Sequence, residues 1–419
     1  MQFENVIGQQ AIKAQLAQMA EHNRLSHALL FLGKEGNGSL LLAMAFAQYI
    51  VCEKNSPFKK KKAGASSGLA AVSPMALFDE PPTTQIAPDT DIPHQLDSCG
   101  NCPSCLKANQ LIHPDIHFTF PVIPKKPGDK PLSSDYIKEW REFVSIHPYG
   151  NVFDWLQFIG AENKQGNITA EECNDINRKI SLKSFESGFK ILLIWMPEYL
   201  GKNGNRLLKL IEEPPVDTLF MLVAENETMI LPTILSRTQL VKIPALSPTA
   251  VEVALELRAG VKIEKAMQIA TICGGNYREA LNLLQHADDD WLALLREWLN
   301  IIVKRNLPAQ VKWIEDMSKQ GREKQKQFLQ YFNHLLELAI RQGIISDDGE
   351  TANQERSSEL DFASRLNKLC SVHQQEAIIN ELDKASYYIE RNANGKMLFH
   401  ALSIKLYHII SNNSLILVN

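Results

Sequence analysis

The pattern of apolar and polar positions changes character twice along the chain. From Met1 to about Cys52 it alternates helix, strand, loop and helix: the apolar run Ala28 to Leu32 is followed by "GKEGNGS" and then by the helix-like "LLLAMAFAQYIV". From Asn55 to Gln95 the composition shifts to Pro, Ser, Ala and Thr, with a lysine block at Lys59 to Lys62. Such a stretch buries too little apolar surface to offset its ordering entropy and reads as a disordered insertion at about 55–95. The lysine block reads as a solvated loop, with an electrostatic contact to DNA as the sharper alternative.

Ordered signals resume at Cys99. "FKILLIWM", Phe189 to Met196, and "TLFMLVA", Thr218 to Ala224, are continuous apolar runs of strand length, as expected of a parallel sheet covered on both faces. Between them Leu207, Leu208 and Ile211 have helical spacing, stopped by Pro214 and Pro215. Strands separated by helices predict an α/β domain over residues 1–244. Beyond it only helical patterns follow. Gly274, Gly275 and Asn276 interrupt a short module at 245–287, and a longer one fills 288–419 with a polar loop at Ser346 to Glu359.

Length agrees with such a division, since 419 residues exceed one small core at roughly 150 residues per domain. A net charge of −4 gives no global positive field toward nucleic acid or anionic lipid. "MQFENVIGQQ" carries neither a basic leader nor an apolar core, and no run reaches the ~18 apolar residues of a membrane span. The expectation is a cytoplasmic protein without a membrane partner. In that compartment the 7 cysteines suit metal ligation better than disulfides.

"CGNCPSC" sets Cys99, Cys102 and Cys105 at successive C-x-x-C spacing, which directs thiolates at one point and suits tetrahedral zinc. Cys52, His94, His113 and Cys173 are candidates for the remaining ligand. Cys52 is preferred, because it ends the helix before the insertion and closing a long flexible loop costs little more than closing a short one. With no Glu or His general base beside the knuckle, the expected site is structural rather than catalytic.

The turn "GKEGNGS" has the setting of a phosphate-binding loop, G-x-x-x-x-G-K-[ST], and correctly spaced Gly33 and Gly38. Ser39 and Leu40 stand where lysine and then serine or threonine belong, and Lys34 is at the wrong end to substitute. At the end of the next strand Trp195 and Met196 occupy the positions of magnesium-handling acids. Glu198, two residues beyond, reads as a surface residue. Both losses point the same way: Gly33, Gly36, Gly38 and Ser39 keep a turn without its nucleotide chemistry.

With those residues in view, "FENVIGQQAIKAQLAQMAEHNRLSHALLFLGKEGNG", "GNRLLKLIEEPP", "LPTILSRTQL", the knuckle followed by "HPD", and "GGNYREALNLL" resemble segments of the AAA+ subunits of the bacterial clamp loader. The resemblance implies an AAA+ type α/β domain, a helical lid and an all-α collar, and places the chain with the non-hydrolysing subunits. It implies a hetero-oligomeric ring with gamma/tau ATPase subunits and the delta subunit, which loads the sliding clamp onto primer-template DNA, and a nucleoid association through the replisome. Ser236-Arg237-Thr238 matches the family's Ser-Arg-Cys motif, so Arg237 becomes an arginine finger acting in trans on a neighbour's ATP, with Ser236 beside it. Thr238 replaces a cysteine at an expected buried position. Arg278 matches an arginine that in active subunits touches their own nucleotide; an ion pair with Glu279 or Asp175 is the equal alternative. Two other functions stay open: an ATPase with an atypical site using Lys34 or Lys202, and a stand-alone zinc-dependent DNA-binding module, near whose knuckle only Lys107 is basic.

Overall fold

The computed structural model describes residues 1–22, 24–54, 97–126, 128–161, 166–285, 291–344, 354–390 and 393–412. The insertion at 55–95, with Lys59 to Lys62 and His94, lies outside the described residues, as does most of the expected loop at Ser346 to Glu359. The end of that loop is a correction: residues 354–359 open a helix.

Among the described residues the chain divides into two units, Met1–Leu281 and Asn282–Asn419. In the first, helix α1 (Gln10–Glu21) precedes strand β1 (Ala28–Leu32), and α2 (Ser39–Val51) follows the turn. Then come α3 (Pro103–Asn109), β2 (Ile116–Thr119), α4 (Ile137–Ile146), α5 (Val152–Phe158), α6 (Ala170–Ser181) and β3 (Lys190–Trp195). A 3-10 segment (Pro197–Leu207) leads into α7 (Leu208–Glu212), followed by β4 (Thr218–Ala224), α8 (Pro232–Leu235) and β5 (Gln239–Lys242). Helices α9 (Pro248–Ala259), α10 (Ile263–Ile272) and α11 (Tyr277–Gln285) complete the run, the last reaching just past the division.

The five strands form one sheet in the order β2-β3-β4-β1-β5, all parallel. The expected strands β1, β3 and β4 are its centre, and their unbroken apolar runs are explained by cover on both faces. On one face Leu30, Leu192, Ile194, Phe220 and Leu222 pack with Ile176 and Ile180 of α6 and Leu207, Ile211 and Ile234. On the other, Phe31 meets Phe46 of α2, a helix buried at every residue. The edges, β2 and β5, escaped the sequence reading. β5 buries only Val241 of its residues, so it carries no apolar run to detect.

The second unit is helical throughout its described residues: α12 (Trp291–Lys304), α13 (Leu307–Lys319), α14 (Arg322–Ile344), α15 (Gln354–Leu369), α16 (Val372–Glu390) and α17 (Gly395–Asn412). Its core is built around Trp298 and Trp313, stacked at 5.0 Å with ring planes 4° apart. Trp298 settles its buried N–H on Ser403 Oγ at 3.0 Å.

Candidate functional sites

The turn "GKEGNGS" runs from the carboxyl end of β1 into α2, the place where open parallel sheets bind ligands. Gly33 N–H donates to Ala224 O at 3.1 Å, tying the turn to the neighbouring strand end. Gly38 has φ +86° and Gly36 φ +71°, and a Cβ on Gly36 would lie 1.7 Å from Asn276 Oδ1. The glycines are therefore required by the backbone, independently of any ligand.

The centre of the turn is filled by its own side chain. Asn37, 2% exposed, donates to Ile243 O at 3.1 Å and accepts from Ser39 N at 3.1 Å and Ser39 Oγ at 2.6 Å. The backbone N–H that a phosphate loop offers its ligand is thus taken at Ser39, and so is the hydroxyl. The Tyr149 ring packs against Gly38, its hydroxyl accepts from Ile7 N at 2.9 Å, and burial pushes its pKa up to about 12. The remaining cavity, bounded by the turn, Tyr149, Trp195, Met196 and Glu225, has a volume of about 30 Å³. Lys34 and Lys202 are both exposed.

The acid positions at the end of β3 are structural. Trp195 is buried against Trp140, with centroids 5.0 Å apart, and Met196 takes a left-handed backbone (φ +57°) as the strand ends. Glu198 corrects the expectation of a surface residue. Its Oε1 accepts from Glu225 N at 2.7 Å and Asn226 N at 2.9 Å, stapling the exit of β4. Burial raises its pKa against the pull of those donors.

Arg278 forms a two-point pair with a residue that sequence reasoning did not name. It donates to Asp154, near the start of α5, while Asp175 holds Arg178 and Lys179. Around that pair Glu35 of the turn accepts from Asn276 Nδ2 at 3.1 Å and Asn151 Nδ2 at 2.8 Å, and Tyr277 N–H donates to Gly36 O at 3.0 Å. Arg278 thereby belongs to a polar network that ties α11 to the turn.

The cysteines converge as expected. The sulfurs of Cys52, Cys99, Cys102 and Cys105 all lie within 4.8 Å of one another, and those of Cys99 and Cys105 are 3.9 Å apart. A tetrahedral ion with metal–sulfur bonds of about 2.3 Å places sulfurs ~3.8 Å apart, so the group could hold a metal. Backbone N–H groups point at the sulfurs: Cys99 N to Cys52 Sγ at 3.3 Å, Cys105 N to Cys102 Sγ at 3.4 Å and Glu53 N to Cys102 Sγ at 3.5 Å. Such donors favour thiolates. The Cys52 hydrogen bond and burial push the Cys105 thiol up. His113 and Cys173 lie elsewhere: His113 Nδ1 accepts from Asp115 N at 3.2 Å, and Cys173 faces Asn203 O in the sheet core. Lys107, the basic residue noted near the knuckle, is paired with Glu186 at 2.5 Å.

Ser236 is exposed and Arg237 half-buried, just past α8. Arg237 is gripped by Glu212, by Thr233 O at 2.9 Å and by Ser236 Oγ at 3.0 Å. Thr238 is half-buried rather than buried and donates to Leu235 O at 3.2 Å. Sequence reasoning missed Asn37, Tyr149, Asp154 and Glu212, because nothing local marks them; each acts on a residue distant in sequence or through its own turn.

A parallel sheet with a phosphate-loop turn at the end of β1, helices on both faces and a helical continuation defines an AAA+-like α/β protein whose turn lacks the nucleotide lysine. The chain belongs to the family described as DNA polymerase III, delta subunit, which matches residues 8–71 and 85–247. It is 25% identical over 233 residues to DNA polymerase III subunit delta' of Bacillus subtilis, covering 55% of this chain and 46% of that protein. It is 23% identical over 297 residues to subunit tau/gamma of Haemophilus influenzae, covering 68% of this chain and 30% of that protein. The matched segment thus spans less than half the length of these curated relatives. Among solved structures, a gamma subunit-related protein of Thermotoga maritima covers 94% of this chain and 99% of its own at 12% identity, with a TM-score of 0.34. No helix among the described residues is long and apolar enough to cross a membrane.

Proposed function

We propose that this chain is a non-hydrolysing, delta-prime-like subunit of a bacterial DNA polymerase III clamp loader. The observation that carries the reading is the phosphate turn filled by its own Asn37, which takes the Ser39 N–H and hydroxyl and leaves no lysine at the phosphate end. The subunit binds no ATP of its own. It contributes Arg237 in trans to ATP held by a neighbouring gamma/tau subunit, with Ser236 beside the guanidinium. Guanidinium suits that task, being permanently charged and presenting a planar fork to phosphate oxygens.

In this reading residues 1–244 form the AAA+ domain, 245–287 its lid and 288–419 the collar that assembles the ring with gamma/tau and delta. The ring then loads the sliding clamp onto primer-template DNA in the cytoplasm, at the nucleoid. Zinc held by Cys52, Cys99, Cys102 and Cys105 stabilises the knuckle and takes no part in chemistry; bound there, it supplies a cross-link between the end of α2 and α3. The reading is tested by affinity capture of the full chain from its own cells: gamma/tau and delta should co-purify at fixed ratio. Capture without either would refute it.

A further inference from the structure

Arg237 is fixed in place by its own chain before any neighbour is considered. Its Nε donates to Glu212 Oε1 at 2.5 Å and its Nη2 pairs with the same carboxylate, while Nη1 donates to Thr233 O at 2.9 Å and Ser236 Oγ at 3.0 Å. Glu212 is the last residue of α7, whereas Thr233 and Ser236 belong to α8 and its cap, so two separate elements hold one side chain. Of the donors a guanidinium carries, only the second N–H on Nη2 is left uncommitted among the described residues.

Stability alone does not account for this arrangement. The side chains of Arg237 and Glu212 are 32% and 45% exposed, and a surface ion pair contributes little to folding. What the arrangement does achieve is order. A solvent-facing arginine samples many rotamers, and a phosphate must freeze them on binding. The carboxylate on one side of the fork and two acceptors on the other fix the plane of this guanidinium in advance.

We propose that Glu212 is the positioning residue for Arg237, holding the guanidinium pre-aimed so that a phosphate on an adjoining subunit meets an ordered donor. The inference rests on the in-trans role of Arg237 proposed above. Loss of Glu212 leaves Arg237 held on one side only, by Thr233 O and Ser236 Oγ, with the Nε edge of the fork free to turn. Its ordering then falls in the transition state, where it lowers kcat and leaves KM for ATP nearly unchanged.

The test uses the full chain reconstituted with its gamma/tau and delta partners. Glu212→Ala should assemble normally and lower the kcat of ATP hydrolysis by about 3–10-fold, well below the ~10³–10⁵ that arginine fingers contribute where tested. Glu212→Gln, which keeps an acceptor, should recover part of the loss. In an Arg237→Ala background Glu212→Ala should do nothing further. An unchanged or raised kcat in Glu212→Ala, or an equal loss in both backgrounds, would overturn the assignment. A readout independent of the ring is the Arg237 Nε–H resonance of the isolated chain, expected to be protected from exchange and to lose that protection in Glu212→Ala; an unprotected resonance in the wild type would also overturn it. If instead Arg237→Ala alone leaves kcat unchanged while the resonance behaves as expected, it is the in-trans role that fails.

Discussion

Arg278 and Asp154, 124 residues apart, form a two-point ion pair: Arg278 Nε donates to Asp154 Oδ2 at 2.5 Å and Nη2 donates to Oδ1 at 2.7 Å. The pair joins α11 to the start of α5, beside the turn held by Glu35. Because the Arg278 side chain is only 6% exposed, removing Asp154 takes a two-point ionic contact away from a buried charge. Asp154→Ala should destabilise the protein by about 2–3 kcal/mol, below the ~3–5 of a fully enclosed pair because Asp154 touches solvent. Urea unfolding of the two proteins measures it, and a difference under half a kilocalorie would show the pair to be ornamental.

The closed turn predicts an absence of nucleotide binding. Equilibrium dialysis of the isolated full chain against radiolabelled ATP and magnesium should give no saturation in the micromolar range. Stoichiometric micromolar binding would mean that Asn37 swings out, and the ATPase alternative through Lys34 or Lys202 would return.

Metal content tests the knuckle. The purified wild type should carry one equivalent of zinc, and Cys99→Ser should lose it, since the remaining thiolates leave a tetrahedral site open. Chelator should lower the melting temperature of the wild type and leave that of the variant where it was. An unchanged zinc content in Cys99→Ser would remove this group as the metal site.

Acid stability has an identifiable contributor in Asp115, which is 2% exposed before β2. Burial pushes its pKa up, but N–H donors from Phe185, Ser187 and Glu186, with the Ser187 hydroxyl, outweigh it and hold the carboxyl below its ordinary value of 3.8. A carboxylate depressed on folding stabilises the protein fully above that ordinary value and loses the contribution as pH falls through the folded one. Asp115→Asn should cost about 1–3 kcal/mol near neutrality, and the gap between the two proteins should close below the ordinary aspartate range. A gap independent of pH would assign the cost to packing.

The sequence by itself determined the features that are contiguous. Three central strands were legible because burial on both faces demands unbroken apolar runs, the knuckle because its cysteines repeat at ligand spacing, and the missing nucleotide lysine because it is defined by position within one turn. The convergence of Cys52 on Cys99 was anticipated from the helix end that precedes the insertion. Tertiary structure alone decided the rest. Edge strands β2 and β5 are short and, in β5, mostly exposed, so no apolar period announces them. The partner of Arg278 could not be chosen from charge spacing, because Asp154 is brought near only when α5 and α11 pack beside the turn. Glu212 reads as part of a helix stop before Pro214, and it acquires its role only where α7 ends next to α8. Hydrogen bonds and ion pairs reach about 3 Å, so their partners are fixed by packing over the whole sheet rather than by neighbourhood in the chain.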